Sequence, residues 1–188
     1  MRNILGMAAL LIVVVSSLIS CVNQSSPQQR MNPARGATQL QPAVAVPSEC
    51  RTTAIYRGDS PAQNEPIGIP WAKAEPTSSG IVASLFFADT GSSKNQMYRT
   101  LHTGGMYPDG STTKILWSID NLQASDTVEI TGKKLLATSE TFKQTFPMSL
   151  GPTKTYPSIV NVPTVGCWQF DIKSGSVIGT LIFWVSGG

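Results

Sequence analysis

The feature that most constrains this sequence is a stretch of strict alternation near its end, GCWQFDI at residues 166–172. Successive side chains of a β-strand point to opposite faces, so the pattern predicts a strand with one face in a core and the other facing solvent. The turn formers at residues 173–176 and the largely apolar strand predicted at 176–185 complete a hairpin. The side chains expected in the core are Trp168, Phe170 and Ile172, and those expected outside are Gln169 and Asp171.

Short apolar runs that end at turn signals recur from residue 50 onward, about ten residues apart, and no amphipathic helix of useful length interrupts them. The charged fraction is only 13%, and the 16 glycines and 13 prolines supply many turns. This spacing predicts an all-β fold, a single antiparallel β-sandwich. The main predicted strands are residues 50–56, 81–88, 96–103, 113–119, 126–131, 156–162, 166–172 and 176–185, with an irregular edge segment at 66–74 and an ambiguous stretch at 134–146.

A cysteine, Cys21, stands at the junction between an apolar and a polar segment at the start of the chain. Arg2 and the apolar residues 4–19 have the pattern of a secretory signal, and the run is shorter than the ~20 residues of a membrane span. Residues 18–21, LISC, resemble the bacterial lipobox. The resemblance implies cleavage before Cys21 and acylation of Cys21, which anchors the chain. The alternatives are an ordinary signal peptide ending in cysteine and an uncleaved N-terminal anchor.

The sequence therefore predicts three parts: a lipoprotein signal peptide at residues 1–20, a lipid-anchored tether at 21–48 and a β-sandwich domain at 49–188. The tether is rich in Pro, Gln and Ser and has no aromatic residue, which is typical of a flexible linker. An ordered strand at residues 43–46 is the alternative. We expect the domain in the cell envelope, outside the cytoplasm. In a diderm bacterium, Val22 after the lipidated cysteine favours the outer membrane.

The remaining two cysteines, Cys50 and Cys167, predict a disulfide, because an even pair in an oxidising compartment is most simply bonded. Two free thiols, or a nucleophilic Cys167, are the alternatives. Strict alternation places Cys167 on the face opposite Trp168, away from the predicted core. We therefore expect the bond at the start of the strand, covering its edge. A bulge after Gly166 is the other solution.

The end of the chain resembles a group of secreted and lipid-anchored bacterial proteins whose last hairpin carries proline, a two-residue gap and Gly-Cys-Trp. The resemblance covers roughly residues 105–185 and includes matching residues at 110, 114–117 and 130–132. It implies an immunoglobulin-like sandwich in a mostly uncharacterised group and brings no catalytic residues. True immunoglobulin domains differ, with a tryptophan between two cysteines and a tyrosine where Val165 stands. The motif residues here are Pro163, Gly166, Cys167 and Trp168.

Charge and histidine content argue against several classes of partner. The net charge is +3, and the basic residues cluster nowhere beyond Lys133 and Lys134, so a nucleic-acid partner is not expected. His102 is the single histidine, which leaves too few ligands for a zinc site built on histidine and cysteine. We therefore expect no metal and no cofactor.

The sequence offers no recognisable catalytic set, so we expect no enzyme. Residues 58–61, GDSP, begin like the GDSL hydrolase motif, but the late Asp-x-x-His of that family and its helices are missing. Hydrolysis of glycans needs two carboxylates across a cleft. Glu129 and Asp171 both lie on predicted strands and point outward, where pairing with a lysine is the expected role.

The last strand is apolar on both faces, so it is either covered twice or presents a docking surface. We expect a lipid-anchored envelope protein whose domain is a non-catalytic binding or structural module, with the membrane as one partner and an envelope protein or glycan as another. The alternatives are an envelope-polymer hydrolase with an unrecognised carboxylate site and a carbohydrate-binding module. Candidate surface or ligand contacts are Trp71, Tyr98, Tyr107 and Trp184.

Overall fold

The computed structural model describes residues 36–62, 68–89, 96–136, 139–150 and 153–187. Cys21, the predicted signal peptide and the first part of the predicted tether lie outside these residues. Within them no helix is long and apolar enough to cross a membrane. Two short 3-10 helices, Thr77–Ser79 and Phe86–Ala88, accompany the strands. The strands are β1 Thr38–Gln39, β2 Gln41–Pro42, β3 Tyr56–Arg57, β4 Trp71–Lys73, β5 Ile81–Leu85, β6 Met97–Tyr98, β7 Leu101–His102, β8 Lys114–Ile119, β9 Thr127–Leu135, β10 Thr141–Pro147, β11 Thr155–Ile159, β12 Gly166–Ser174 and β13 Val177–Ser186.

The strands form two main sheets, and the predicted all-β antiparallel sandwich is confirmed. The first sheet has the order β1-β3-β4-β5-β8-β11, and the second has the order β10-β9-β12-β13-β7. All neighbours in these sheets are antiparallel except β7 and β13. A separate parallel pair joins β2 to β6.

The central strand order is immunoglobulin-like. Strands β8 and β11 pair in one sheet, as strands B and E do, and β10-β9-β12-β13 follow the order C′-C-F-G in the other. Strands β1, β3 and β4 extend the first sheet beyond this arrangement. The disulfide differs from the one that joins strands B and F of immunoglobulin domains, since Cys50 precedes all of these central strands.

The core between the sheets contains the residues that the alternating pattern predicts. Trp168, Phe170 and Ile172 are fully buried and belong to one cluster that draws on both sheets. The Phe170 ring packs edge-on against Phe142 and Phe183, with centroids 5.4 and 5.2 Å away. Other fully buried members are Trp117, Tyr156, Ile81, Leu85, Ile115, Ile130 and Leu181.

Several element boundaries differ from the prediction. The predicted strand at 50–56 is reduced to β3, because the chain before it bonds to the edge of β13 instead: Thr53 N–H donates to the Ile182 carbonyl at 2.8 Å. The segment 96–103 divides into β6 and β7, which pair with different neighbours. Strand β9 continues through Gly132 to Leu135, and the ambiguous stretch at 134–146 contributes β10.

Candidate functional site

Cys50 and Cys167 form the predicted disulfide, with a Cα–Cα distance of 5.6 Å. Both cysteines are buried. On β12, Cys167 lies between Leu135 of β9 and Trp184 of β13, on the face directed away from the core. The bond lies at the start of β12, as expected, but the expectation that it covers a strand edge is wrong. Strand β12 is central in its sheet, so the disulfide fastens the incoming chain to the outer face.

The chain that follows Cys50 closes the exposed edge of the last strand. Thr53 exchanges two hydrogen bonds with Ile182, one through its N–H and one to its hydroxyl, both 2.8 Å long. Glu75 and Thr180 exchange backbone hydrogen bonds of 3.0 and 2.8 Å farther along the same edge. Strand β7 pairs with the remaining part at Val185. The last strand thus has partners on both sides.

Residues 38–43 form an ordered segment, here called the strap. The strap lies along β3 through β1 and along β6 through β2, and Leu40 between them is 3% exposed. Composition assigned these residues to the flexible tether, whereas the structure includes them in the folded domain. The single signal in the sequence is one leucine within the polar run TQLQ. One apolar residue carries no periodicity, so the strap could not be recognised from pattern alone.

Three of the four aromatic residues predicted as surface contacts are buried, which corrects that expectation. Trp71, Tyr98 and Tyr107 are 3%, 4% and 7% exposed. Trp71 stacks on Tyr56 with ring centroids 5.0 Å apart. Trp184 is partly exposed on the outer face of β13. The four side chains do not form the flat, exposed row that stacking on sugars requires.

Arg99 lies over the ring of the buried Tyr107, with the guanidinium carbon 3.7 Å from the ring centroid. The Tyr107 hydroxyl donates to the Thr100 carbonyl. Burial raises the pKa of Tyr107 well above its usual range, although the charge of Arg99 acts in the opposite direction. Tyr107 is therefore a neutral hydrogen-bond donor at physiological pH, with a structural role.

The outward carboxylates on the second sheet are paired with lysines, as predicted. Glu129 lies 2.7 Å from Lys143, and Asp171 lies 2.8 Å from Lys133. Asp171 also accepts hydrogen bonds from Gln169 and Thr180 at 2.7 and 3.2 Å. These interactions stabilise charged carboxylates on the sheet surface.

The pKa of Asp171 has the wrong direction for a general acid. Partial burial by itself would raise the pKa, but the hydrogen bonds from Lys133, Gln169 and Thr180 outweigh it and hold the pKa of Asp171 below its usual range. Hydrogen bonds from Ser111 chiefly, and then the Arg99 charge, lower the pKa of Asp109 as well. A catalytic acid in a glycosidase needs a raised pKa.

The His102 side chain is hydrogen-bonded to the backbone of the next residue. Its Nδ1 lies 2.9 Å from the Thr103 carbonyl and must donate, since a carbonyl oxygen only accepts. The ring lies 5.1 Å from that of Tyr107, and its Nε2 is buried with no hydrogen-bond partner among the described residues. In the part of the chain that the structure describes, no three His, Cys, Asp or Glu side chains cluster as metal ligands would.

A cavity of about 250 Å³ lies at the end of β8. Its lining includes Ser118, Asn121, Leu122 and Lys154, none of which the sequence singled out. The Lys154 ammonium donates to the backbone carbonyls of Leu122, at 3.3 Å, and Ala124. The Lys154 ammonium is thus engaged in closing a loop.

Comparisons with known proteins identify no relative of this chain. No family model matches the chain, and no curated protein and no solved structure matches it. Inferences about function therefore rest on the residues and contacts of this chain itself.

Proposed function

We propose that this chain is a lipid-anchored protein of the cell envelope whose β-sandwich is a non-catalytic binding or structural module. The observation that carries the proposal is the Cys50–Cys167 disulfide. Disulfides persist in oxidising compartments outside the cytoplasm and are rare inside it. The bond therefore agrees with export directed by the apolar segment before Cys21.

The position of the disulfide suits a domain held from its N-terminal side. A pull on Cys21 reaches the strap first and Cys50 next, where a covalent bond transfers it to the central strand β12. The pull then cannot extend residues 51–166, the loop between the two cysteines, without breaking a covalent bond. Two or three acyl chains on Cys21 give firm attachment, whereas one chain is marginal.

A non-catalytic role is supported by the interaction partners of the domain's polar side chains. Glu129 and Asp171 neutralise lysines on the sheet surface, and His102 donates to a backbone carbonyl. Tyr107 likewise bonds to backbone. Each group is engaged in a local contact: the carboxylates pair with lysines on the surface of the second sheet, and the His102 and Tyr107 rings pack 5.1 Å apart while bonding to backbone carbonyls.

Intact-mass measurement of the protein extracted from membranes tests the anchor and the compartment together. We expect the mass of the chain from residue 21 plus acyl chains, and a gain of two hydrogens when the disulfide is reduced. A Cys21→Ser variant should lose the acyl mass and leave the membrane fraction, while retaining the Cys50–Cys167 bond. An unacylated product from the unaltered chain would overturn the anchor.

The non-catalytic assignment has a separate test against purified envelope polymers, such as peptidoglycan. The unaltered protein and the variants His102→Ala, Glu129→Gln and Asp171→Asn should release no soluble fragments. Release by the unaltered protein that any of these substitutions removes would favour a hydrolase instead. Binding of the polymer without release agrees with a binding module.

A further inference from the structure

The strap is attached to the domain mainly through its backbone. Within it only Leu40 is buried, at 3% exposed, while Thr38, Gln39, Gln41 and Ala43 are exposed. The Leu40 N–H donates to the Ile55 carbonyl at 2.8 Å, and β1 pairs in register with β3. One apolar side chain and a short series of main-chain hydrogen bonds therefore hold the segment.

The second half of the strap explains why a proline fits there. Gln41 and Ala43 donate their N–H groups to the carbonyls of Gln96 and Tyr98, at 2.7 and 2.8 Å. Pro42, which lacks an N–H, stands between them at the position that needs no donor. The edges of β3 and β6 that bond to the strap are here called its seat. The seat thus accepts an extended segment with a buried leucine followed two residues later by proline.

The rest of the domain is fastened independently of the strap. Residues 44–49, which connect the strap to Cys50, are largely exposed and form no strand. Beyond them, Cys50 is bonded to Cys167 and Thr53 is hydrogen-bonded to Ile182. Departure of the strap would therefore vacate its seat without releasing the chain from Cys50 onward.

We propose that the seat of the strap is a strand-exchange site, in which residues 38–43 of a second copy of this chain replace the resident strap. A second copy is the favoured occupant because it carries the leucine and proline at the spacing that the seat already accepts. Exchange preserves every hydrogen bond of the strap and is a low-cost route to a dimer. The proposal does not depend on the lipid anchor.

The connecting residues restrict the geometry of the exchanged pair. Six extended residues span at most about 20 Å, so the two seats must face each other across a short distance. Reciprocal exchange then fills both seats and gives a closed, two-fold symmetric dimer. The disulfide of each copy stays within its own chain.

Cross-linking between two tagged, full-length versions of the chain tests the exchange. One version carries Gln41→Cys and the other Met97→Cys, at exposed positions that are register neighbours across β2 and β6. Because each version carries one partner only, a short thiol cross-linker can join these sites only between two chains. We expect a cross-linked heterodimer after co-expression. The matched control replaces Met97→Cys by Ser176→Cys, at the hairpin turn between β12 and β13.

Two outcomes overturn the proposal. One is a heterodimer yield no higher than that of the Ser176→Cys control. The other is a yield that Leu40→Asp in both versions leaves unchanged, since the seated strap requires an apolar side chain there. An intact Cys50–Cys167 bond in the Leu40→Asp chains serves as the folding control, and Leu40→Ala, which should lower the yield partially, provides a milder variant.

Discussion

The ring of Phe142 on β10 occupies the space that a side chain at Gly132 on β9 would need. The two residues lie directly opposite each other, and an ideal Cβ at position 132 would come within 2.0 Å of the Phe142 Cε1 atom. Phe142 also contacts the rings of Trp168 and Phe170, with centroids 5.5 and 5.4 Å away. A glycine within the strand thus admits an aromatic ring to the end of the core.

Substitution Gly132→Ala should therefore destabilise the domain, because the added methyl group displaces the Phe142 ring. We expect a loss of about 1 to 3 kcal/mol in the free energy of unfolding, as for other overpacked cores. Urea unfolding measures it. The cost of Gly132→Ala should be smaller when it is measured in the Phe142→Leu variant, where the ring is absent. Additive effects of the two substitutions would contradict the contact.

The interactions of Asp171 predict a pH-dependent contribution to stability. Its pKa is lowered in the folded state, so the contribution is present above the unfolded pKa of about 3.9 and is lost as the pH falls through the folded pKa. The variant Asp171→Asn should lose stability at pH 7 and show a shallower decline between about pH 5 and pH 2.

Lys133→Met provides the matched test of the cause. Removing the ammonium should raise the pKa of the Asp171 carboxyl, measured by NMR titration, while the bonds from Gln169 and Thr180 remain. An unchanged titration midpoint in Lys133→Met would show that the lysine is not responsible for the shift.

The disulfide should contribute much of the stability of the domain. It joins residues separated by 117 positions, and the chain-entropy model gives about 4 to 5 kcal/mol for a loop of this size. The double variant Cys50→Ala/Cys167→Ala should lower the free energy of unfolding by an amount of that order in urea. Cys21→Ser is the control and should unfold like the unaltered domain. Equal stability of the double variant would mean that the folded state compensates for the lost bond.

Trp184 should be the tryptophan that responds to solvent quenchers. Trp71, Trp117 and Trp168 are at most 3% exposed, whereas Trp184 is partly exposed on the outer face of β13. Iodide should quench only a fraction of the fluorescence, and Trp184→Phe should remove that fraction. Trp71→Phe is the control and should leave it in place. Quenching that persists in Trp184→Phe would place another indole at the surface.

The amino-acid sequence by itself determined the class of fold and the content of the core. Alternation through Trp168, Phe170 and Ile172 is a local pattern with a period of two, and burial of one face follows directly from it. The pairing of Cys50 with Cys167 also followed, since only one pair was available beyond Cys21. The outward carboxylates paired with lysines because a strand surface brings opposite charges together.

Only the tertiary structure decided which surfaces are covered. Whether Trp71 or Tyr98 faces solvent depends on other segments of the chain: Trp71 stacks on Tyr56 of β3, and Tyr98 lies on β6, which pairs with the strap. The same holds for Cys167, whose strand proved central because β9 and β13 pair on either side of it. Alternation assigns a side chain to a face, but non-local pairing determines what lies against that face, and a single strand carries no information about its neighbours.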